Sequence, residues 1–174
     1  MSEYTVSIVG EDRPGIVAAV TGALLGAGGN VENCRAAILA GSFAMVLAVE
    51  VPAWVTDQDI VDLLAPASSQ MGLSLGVRPA APAQRDIDDD RCVITIYGAD
   101  RPGIVHGAAE ALASAGVNIV DLSSRLVGDP PIYVLGIEAR PPAGMQAGAV
   151  HDALRCPELA GLDISVQAES ERLL

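Results

Sequence analysis

The sequence has no lysine, only two histidines and very few aromatic residues, and each shortage narrows what the protein can do. Aromatic residues make up 3% of the 174 residues and hydrophobic residues 51%, so a folded core has to be built from Ala, Val, Leu and Ile. Ten basic side chains stand against 22 acidic ones, which gives a net charge of −12. A chain this acidic repels a phosphate backbone, so direct nucleic-acid binding is not expected.

Long apolar runs and paired cysteines are also missing. The apolar stretch from 43 to 51 is too short to cross a bilayer. The first ten residues, MSEYTVSIVG, lack the basic and apolar regions of a secretory signal. Cys34, Cys92 and Cys156 are odd in number and form no CxxC pair, so we interpret each of them as a small buried apolar residue in a reducing compartment. We therefore expect a cytoplasmic protein without membrane contact.

The signatures of common enzyme classes do not occur in the sequence. There is no HExxH, GxSxG or Walker A motif. His106 and His151 fall in predicted helices, where an exposed or half-buried position without catalytic partners is expected. Nothing in the sequence requires a metal or an organic cofactor. We predict that the protein is not an enzyme and holds no cofactor.

One octapeptide occurs twice. GEDRPGIV runs from Gly10 to Val17, and GADRPGIV runs from Gly98 to Val105. The ungapped similarity continues for another twenty or so residues in each copy, which indicates an internal duplication. The stretch between the copies is rich in Pro and Ala and then acidic, as is typical of an exposed linker. We predict a first domain at 1–79, a linker at 80–91 and a second domain at 92–170.

Each copy shows the same order of predicted elements. An alternating strand comes first, and a helix follows that ends at glycines suited to a left-handed C-cap. Two strands with a turn near Gly41, a helix capped by Thr56 or Asp57, and a last strand complete the first copy. The order βαββαβ predicts an α+β protein of two tandem ferredoxin-like units, with antiparallel sheets and helices on one face. The residues predicted to face the core are Tyr4, Val6, Ile8, Cys92, Ile94 and Ile96 on the strands, and Ile16, Val17, Val20 and Leu24 on the first helix.

The octapeptide lies where a strand passes into a helix. Pro14 is predicted near the first helical position, and Gly15 lets a ligand approach the backbone. The first N–H groups of a helix lack internal partners and favour a carboxylate, and Asp12 adds a negative group beside them that suits an ammonium. The combination matches a zwitterion such as an α-amino acid. The alternative is that Asp12 only caps the helix and the glycine only permits close packing.

A strand, D-R-P-G at the head of a helix, and then G-x-N-[IV] with its Asn eighteen residues after the Asp, together resemble the ACT domain. The stretch NVENCRAAILAGSFAMVLAVEV, with NxxxxR…LAGxFxM, resembles more specifically the glycine cleavage system transcriptional repressor group. The resemblance implies a regulatory protein that binds a small amino acid, glycine or serine being favoured, at an interface between two ACT modules. It also implies a protein partner that is regulated, and it is compatible with a homodimer.

The resemblance also implies which residues hold the ligand. In ACT domains the loop at the head of the first helix of one module faces the start of the second strand of a neighbour. The amide groups at the strand start suit either charge of an amino acid. The second copy has VGDPPIY in place of LAGSFAM, so the two sites are not expected to be equivalent. Carried over by position, one site consists of Asp12, Arg13, Pro14, Gly15 and Ile16 with Asn118, and the other of Asp100, Arg101, Pro102, Gly103 and Ile104 with Asn30.

Three other functions compete with amino-acid sensing. In the first, the protein is a ligand-independent protein-interaction module and the octapeptide is structural. In the second, it is the regulatory subunit of an enzyme of amino-acid metabolism. In the third, it controls transcription by direct DNA contact, which the missing helix-turn-helix and the net charge of −12 oppose.

Overall fold

The computed structural model describes residues 1–81 and 91–168. The chain divides into two compact units, here called the first and second module. Each module contains one four-stranded antiparallel sheet and two α-helices. The predicted tandem α+β fold is confirmed. Most of the predicted linker, and the last two residues of the predicted second domain, lie outside the described residues, so the proposed domain bounds stay predictions.

The first module follows the order βαββαβ. Its sheet has the strand order β2-β3-β1-β4, so that β1 lies inside the sheet and β2 and β4 form its edges. The hydrogen-bonded pairs β1–β3, β1–β4 and β2–β3 are all antiparallel. The elements are β1 (Ser2–Glu11), α1 (Ile16–Gly26), β2 (Asn30–Leu39), β3 (Ser42–Val51), α2 (Asp57–Met71) and β4 (Ser74–Pro79).

The second module repeats this topology with the strand order β6-β7-β5-β8. It differs at the second helix, which has seven residues where α2 has fifteen and is followed by a short 3₁₀ turn. The elements are β5 (Cys92–Gly98), α3 (Ile104–Ser114), β6 (Asn118–Val127), β7 (Ile132–Arg140), α4 (Ala147–Ala153), the 3₁₀ turn (Pro157–Leu159) and β8 (Asp163–Ala168).

Each module has its own apolar core between the sheet and the helices. In the first module the inward residues of β1 and β3 pack against one face of α1 and of α2. Val17, predicted on the buried face of α1, is instead 45% exposed, because the residue after Ile16 is rotated about 100° around the helix. The predicted core residues that are fully buried are Val6, Ile8, Ile16, Val20, Leu24, Cys92, Ile94 and Ile96, and Tyr4 is partly buried against the core.

The predicted turn signals have the expected backbone geometry. Gly28 follows α1 with φ 74°. The N–H groups of Gly28 and Gly29 donate to the Leu25 and Leu24 carbonyls at 3.0 and 2.9 Å. This is a Schellman motif, so the left-handed C-cap is confirmed. The predicted turn near Gly41 is confirmed as well, since Ala40 and Gly41 both have positive φ and connect β2 to β3 as a two-residue hairpin loop.

The cysteines differ from one another in exposure. Cys92 is buried as predicted, and desolvation raises the pKa of its thiol above the ordinary value. Cys156 is half-buried. The prediction for Cys34 is wrong, because this residue is exposed. It lies on β2, an edge strand whose residues are almost all exposed, and alternation along a strand does not reveal which strand of the sheet is at the edge.

Candidate functional site

The two octapeptides form the connections β1–α1 and β5–α3, and their first glycine has a packing role. A Cβ atom at Gly10 would lie 2.6 Å from Leu73 Cδ2, and one at Gly98 would lie 2.6 Å from Leu162 Cδ2. Both neighbours belong to the segment that precedes the last strand of the module. A side chain at Gly10 would also lie 3.1 Å from the Gly72 carbonyl oxygen and would push this segment away from the octapeptide loop, whereas at Gly98 it would displace the Leu162 side chain.

The second glycine sets the position at which the helix begins. Gly15 has φ 96° and Gly103 has φ 98°, a left-handed conformation that suits glycine, and each residue is the N-cap of its helix. The helices begin one residue later, at Ile16 and Ile104. The prediction that Pro14 lies near the first helical position is therefore wrong: Pro14 precedes the N-cap, because the left-handed glycine separates it from the helix.

Each octapeptide presents a row of unpaired backbone donors. In α1 the first N–H that bonds back toward the octapeptide is that of Ala19, which donates to the Gly15 carbonyl at 2.9 Å. The N–H groups of the three preceding residues, 16–18, have no partner among the described residues. In α3 the corresponding bond runs from Gly107 N–H to the Gly103 carbonyl at 2.8 Å. Such donors at the positive end of a helix favour a carboxylate or another anion.

The isoleucines at the two helix starts are core residues. Ile16 and Ile104 are both 2% exposed and belong to the cores of their modules. A ligand at the octapeptide therefore does not reach their side chains, and the exposed residues of the first helical turns are those that follow, 17–18 and 105–106. This burial fixes the first turn of each helix against the sheet.

Asp12 is held by its backbone while its carboxylate remains without a partner. Its N–H donates to the Gly41 carbonyl at 2.9 Å, which ties the octapeptide loop to the β2–β3 hairpin. Within residues 1–81 and 91–168, neither the Asp12 nor the Asp100 carboxylate has a hydrogen bond or an ion pair. Neither aspartate caps its helix, since the N-caps are glycines. The alternative in which Asp12 serves as a helix cap is therefore wrong.

The arginines of the two octapeptides have different partners. Arg13 forms an exposed ion pair with Glu11, at 3.1 Å from Nη2 to Oε2. Arg101 instead donates from Nη2 to the carbonyls of Glu158, at 3.0 Å, and of Ala160, in and after the 3₁₀ turn. The second loop is thus attached to the segment before β8, and the two candidate sites are not equivalent.

The predicted asparagines lie far from the octapeptide of their own module. Asn30 begins β2 and is opposite Glu50, which is itself opposite Glu3 at the start of β1. Asp12 follows the other end of β1, about 30 Å away along the strand. Asn118, opposite Arg140, has the same relation to β5. Both asparagines are exposed. Neither module by itself brings its own asparagine and aspartate together.

The histidines do not form a catalytic constellation in the described part of the chain. His106 is exposed on α3, with Nε2 3.3 Å from Glu110 Oε2 one helical turn away. His151 Nδ1 lies 3.9 Å from Asp152 Oδ1 on α4. Within the described ranges there is no group of three or more His, Cys, Asp or Glu side chains arranged to hold a metal. None of the helices in those ranges is long and apolar enough to cross a bilayer.

Two features of the site were missed by sequence reasoning. The attachment of Asp12 to Gly41 and that of Arg101 to the 3₁₀ turn connect residues far apart in the chain. The first had an indirect signal in the LAG turn, since a left-handed hairpin leaves its carbonyl available. The second had none, because any exposed carbonyl can accept an arginine N–H.

Comparison with known proteins identifies the family. The family model for the ACT domain matches residues 4–78 and 90–139, which together span most of the chain. The chain belongs to the ACT domain family. This ACT protein is also 36% identical over 80 residues to a UPF0237 protein of Methanopyrus kandleri, an alignment that covers 45% of the chain and 88% of the relative.

Two solved structures share the tandem architecture of this ACT protein. A protein of unknown function from Galdieria sulphuraria is 30% identical, with a TM-score of 0.82 over 96% of this chain and 98% of its own. A protein provisionally identified as a glycine cleavage system transcriptional repressor is 19% identical, with a TM-score of 0.67 over 96% of both chains. At that identity the second similarity supports the fold alone.

Proposed function

We propose that this ACT protein is a regulatory sensor of a small amino acid, glycine or serine being favoured, and that the ligand binds at the octapeptide loops. The observation that carries the proposal is that each loop places N–H donors, which suit a negative group, beside a free carboxylate, which suits a positive one. The N–H donors at the start of α1 suit the ligand carboxylate, and the free Asp12 carboxylate suits its ammonium. Asp100 and α3 offer the same pair. Glycine and serine are favoured by the resemblance of the sequence to the glycine cleavage system transcriptional repressor group.

Each site is completed by a residue from another module. Asn30 and Asn118 lie at the end of their sheet opposite the octapeptide loop, so an asparagine reaches a loop only when two modules meet. In the proposed arrangement Asn118 faces the loop of Asp12, Arg13, Pro14 and Gly15. Asn30 faces the loop of Asp100, Arg101, Pro102 and Gly103.

Regulation follows from this arrangement by linkage. A ligand that contacts two modules favours the packing in which both contacts are made, and it shifts the population by its difference in affinity between the two packings. The changed surface then alters binding to a partner protein in the cytoplasm, with control of transcription or of an amino-acid metabolic enzyme as the outcome. No catalytic step, cofactor or DNA contact is part of this function.

The test is ligand binding by the intact protein and by the variants Asp12→Ala, Asp100→Ala and the double variant. Glycine and serine are measured by thermal shift and by calorimetry. Ligand at a hundred times its Kd stabilises the native state by about 2.7 kcal/mol, which is a clear rise in Tm. We expect each single variant to lose one site and the double variant to lose both, with the Tm of the ligand-free protein unchanged because neither aspartate caps a helix.

The control is Glu110→Ala, which removes the same charge from the exposed surface of α3. It should bind like the unaltered protein. Undiminished affinity in the double aspartate variant would remove the octapeptide from the site. A flat response to glycine, serine and the other eighteen amino acids would remove the sensor function.

A second candidate is a ligand-independent interaction module, which the exposed edge strands favour. On β2, Ile38 and Leu39 are 62% and 78% exposed, and Leu126 on β6 is 56% exposed. Unpaired edges with apolar side chains are common docking surfaces for other chains. Recovery of the same partner with and without glycine and serine would favour this candidate, whereas ligand-dependent recovery favours the sensor.

A further inference from the structure

The second module departs from the first at its second helix. In the first module α2 runs for fifteen residues to Met71 and is followed closely by β4. In the second module α4 ends after seven residues, and the chain continues through the 3₁₀ turn to reach β8. The last strand of the second module is therefore flanked by a short helix and a turn, and not by a continuous helix.

A cavity of about 670 Å³ opens at this place, between the end of α4, the 3₁₀ turn and the start of β8. Its lining is mainly aliphatic: Leu154 and Leu159 are fully buried, and Leu162 and Ile164 are half-buried. The volume is within the range of small-molecule sites, which combine an apolar surface with a few polar groups. The lining residues in the described part of the chain all belong to the second module.

Charged groups of both signs line the cavity, together with His151 and Cys156. Arg155 and Asp163 both line the cavity, at its α4 side and its β8 side. Arg155 Nε lies 3.3 Å from Asp152 Oδ1, which orients the guanidinium. Its two terminal nitrogens have no partner among the described residues. A guanidinium held in this way offers a pair of donors that match a carboxylate.

We infer that this cavity binds a small branched aliphatic carboxylate, with the hydrocarbon on the half-buried Leu162 and Ile164 and the carboxylate at Arg155. Two sources share this chemistry: a simple carboxylic acid, and an amino acid whose ammonium also pairs with Asp163. The site is separate from the octapeptide loops and does not rest on the function proposed for them.

The segment that lines the cavity also contacts the second octapeptide. Glu158 and Ala160 carry the carbonyls that accept the Arg101 hydrogen bonds, and Leu162 is the residue that Gly98 accommodates. Ala160 and Leu162 also line the cavity. A ligand there contacts the segment that holds the Arg101 loop, so we expect occupancy to act on the loop of the second module.

The experiment measures binding of 4-methylpentanoate and of leucine to the full chain by calorimetry and by chemical shifts in NMR spectra. Arg155→Gln removes the charge of an exposed side chain, and Arg155→Lys keeps it. Ala160→Trp fills the cavity from its exposed rim. We expect Arg155→Gln to raise the Kd about tenfold, Arg155→Lys to have a smaller effect, and Ala160→Trp to abolish binding. Arg78→Gln, a similar change on β4 of the first module, is the matched control and should have no effect.

The two sources are separated by Asp163→Asn. If Asp163→Asn lowers the affinity for leucine but not for 4-methylpentanoate, the ligand is a zwitterion. If Asp163→Asn leaves the affinities for both probes unchanged, the ligand is a simple carboxylic acid. Either result supports the site. The double variant Asp12→Ala/Asp100→Ala distinguishes this cavity from the octapeptide loops, since it should bind both probes normally. Failure of both probes to bind, or binding that survives Arg155→Gln and Ala160→Trp, overturns the inference. Binding lost only in the double aspartate variant overturns it too and places the ligand at the octapeptide.

Discussion

At the scale of single residues, each octapeptide contains two glycines, and either space or backbone conformation explains why glycine is needed at each position. Gly10 is required by space, because a Cβ would lie 2.6 Å from Leu73 Cδ2 and 3.1 Å from the Gly72 carbonyl oxygen. Gly98 is required by conformation as well, because its φ of 155° is one that glycine adopts more readily than residues with a Cβ. Gly15 and Gly103 are required by conformation, since their φ values lie in the left-handed region while the space around them is open. Duplication has preserved both requirements.

Replacing Gly15 or Gly103 by alanine tests the conformational reason. A left-handed backbone costs a residue with a Cβ about 1–2 kcal/mol, so each variant should lower the free energy of unfolding by about that amount. Chemical denaturation followed by circular dichroism measures the change. The control is Gly22→Ala inside α1, where a Cβ meets nothing within 4 Å and alanine should stabilise the helix. Equal effects of the three substitutions would contradict the conformational role.

The roles of these residues could be predicted from the sequence only in part. The motif D-R-P-G indicated a helix start and free donors, and both occur at Ile16 and at Ile104. The predicted helix start was two residues too early. A proline is acceptable both in the first turn of a helix and just before it, and the sequence does not reveal the φ of the glycine that follows. For Asp12 the sequence left two alternatives open, a ligand group and a helix cap, and the glycine N-cap of α1 removes the second.

At the scale of elements, periodicity predicted the order βαββαβ because inner strands such as β3 and β5 alternate between core and solvent and the helices have one apolar face. What periodicity could not predict is the environment of an element. Cys34 is exposed because β2 is at an edge of the sheet. The length of α4 was closer to prediction: a helix around Ala147–Arg155 is expected before Pro157, and α4 ends at Ala153, two residues earlier.

The second helices of the two modules differ in how they begin. Thr56 is the N-cap of α2 and forms a capping box: the Asp59 N–H donates to Thr56 Oγ1, and the Thr56 N–H donates to Asp59 Oδ2 at 2.8 Å. In α4 the N-cap is Gln146, which makes no side-chain cap bond. The capping prediction for Thr56 is thus confirmed, and the Asp57 alternative is wrong.

Exchanging these caps should change the stability of the two helices in opposite directions. Thr56→Ala should lower the Tm, and Gln146→Ser should raise it, since serine at an N-cap can accept an N–H that glutamine leaves without a side-chain partner. Differential scanning calorimetry measures both. The control is Asp62→Ala, which also removes an acidic residue of α2 but one that is not part of the capping box. A lower Tm for Gln146→Ser would show that the extended backbone of Gln146 does not admit a cap.

The capping box also predicts a pH dependence. The backbone N–H of Thr56 and then its hydroxyl bond to the Asp59 carboxylate and lower its pKa. A carboxyl group with a lowered pKa stabilises the native state above its ordinary pKa, and this contribution is lost as the pH falls through the lowered value. Stability measured between pH 5 and pH 2 should therefore fall less steeply in Asp59→Asn than in the unaltered protein. An unchanged slope would contradict the bond seen here.

At the scale of the whole molecule, the two modules have separate cores and separate sheets, so a defect in one core should act first on its own module. Leu24 on α1 and Leu112 on α3 are equivalent in the repeat and both are fully buried. Replacing either by alanine should cost about 2–5 kcal/mol because it leaves a cavity. Hydrogen exchange measured by mass spectrometry should show faster exchange in β1 and β3 for Leu24→Ala and in β5 and β7 for Leu112→Ala. Equal acceleration of both sheets by either variant would mean that the modules unfold as one cooperative unit, and a ligand bound at one octapeptide would then stabilise both.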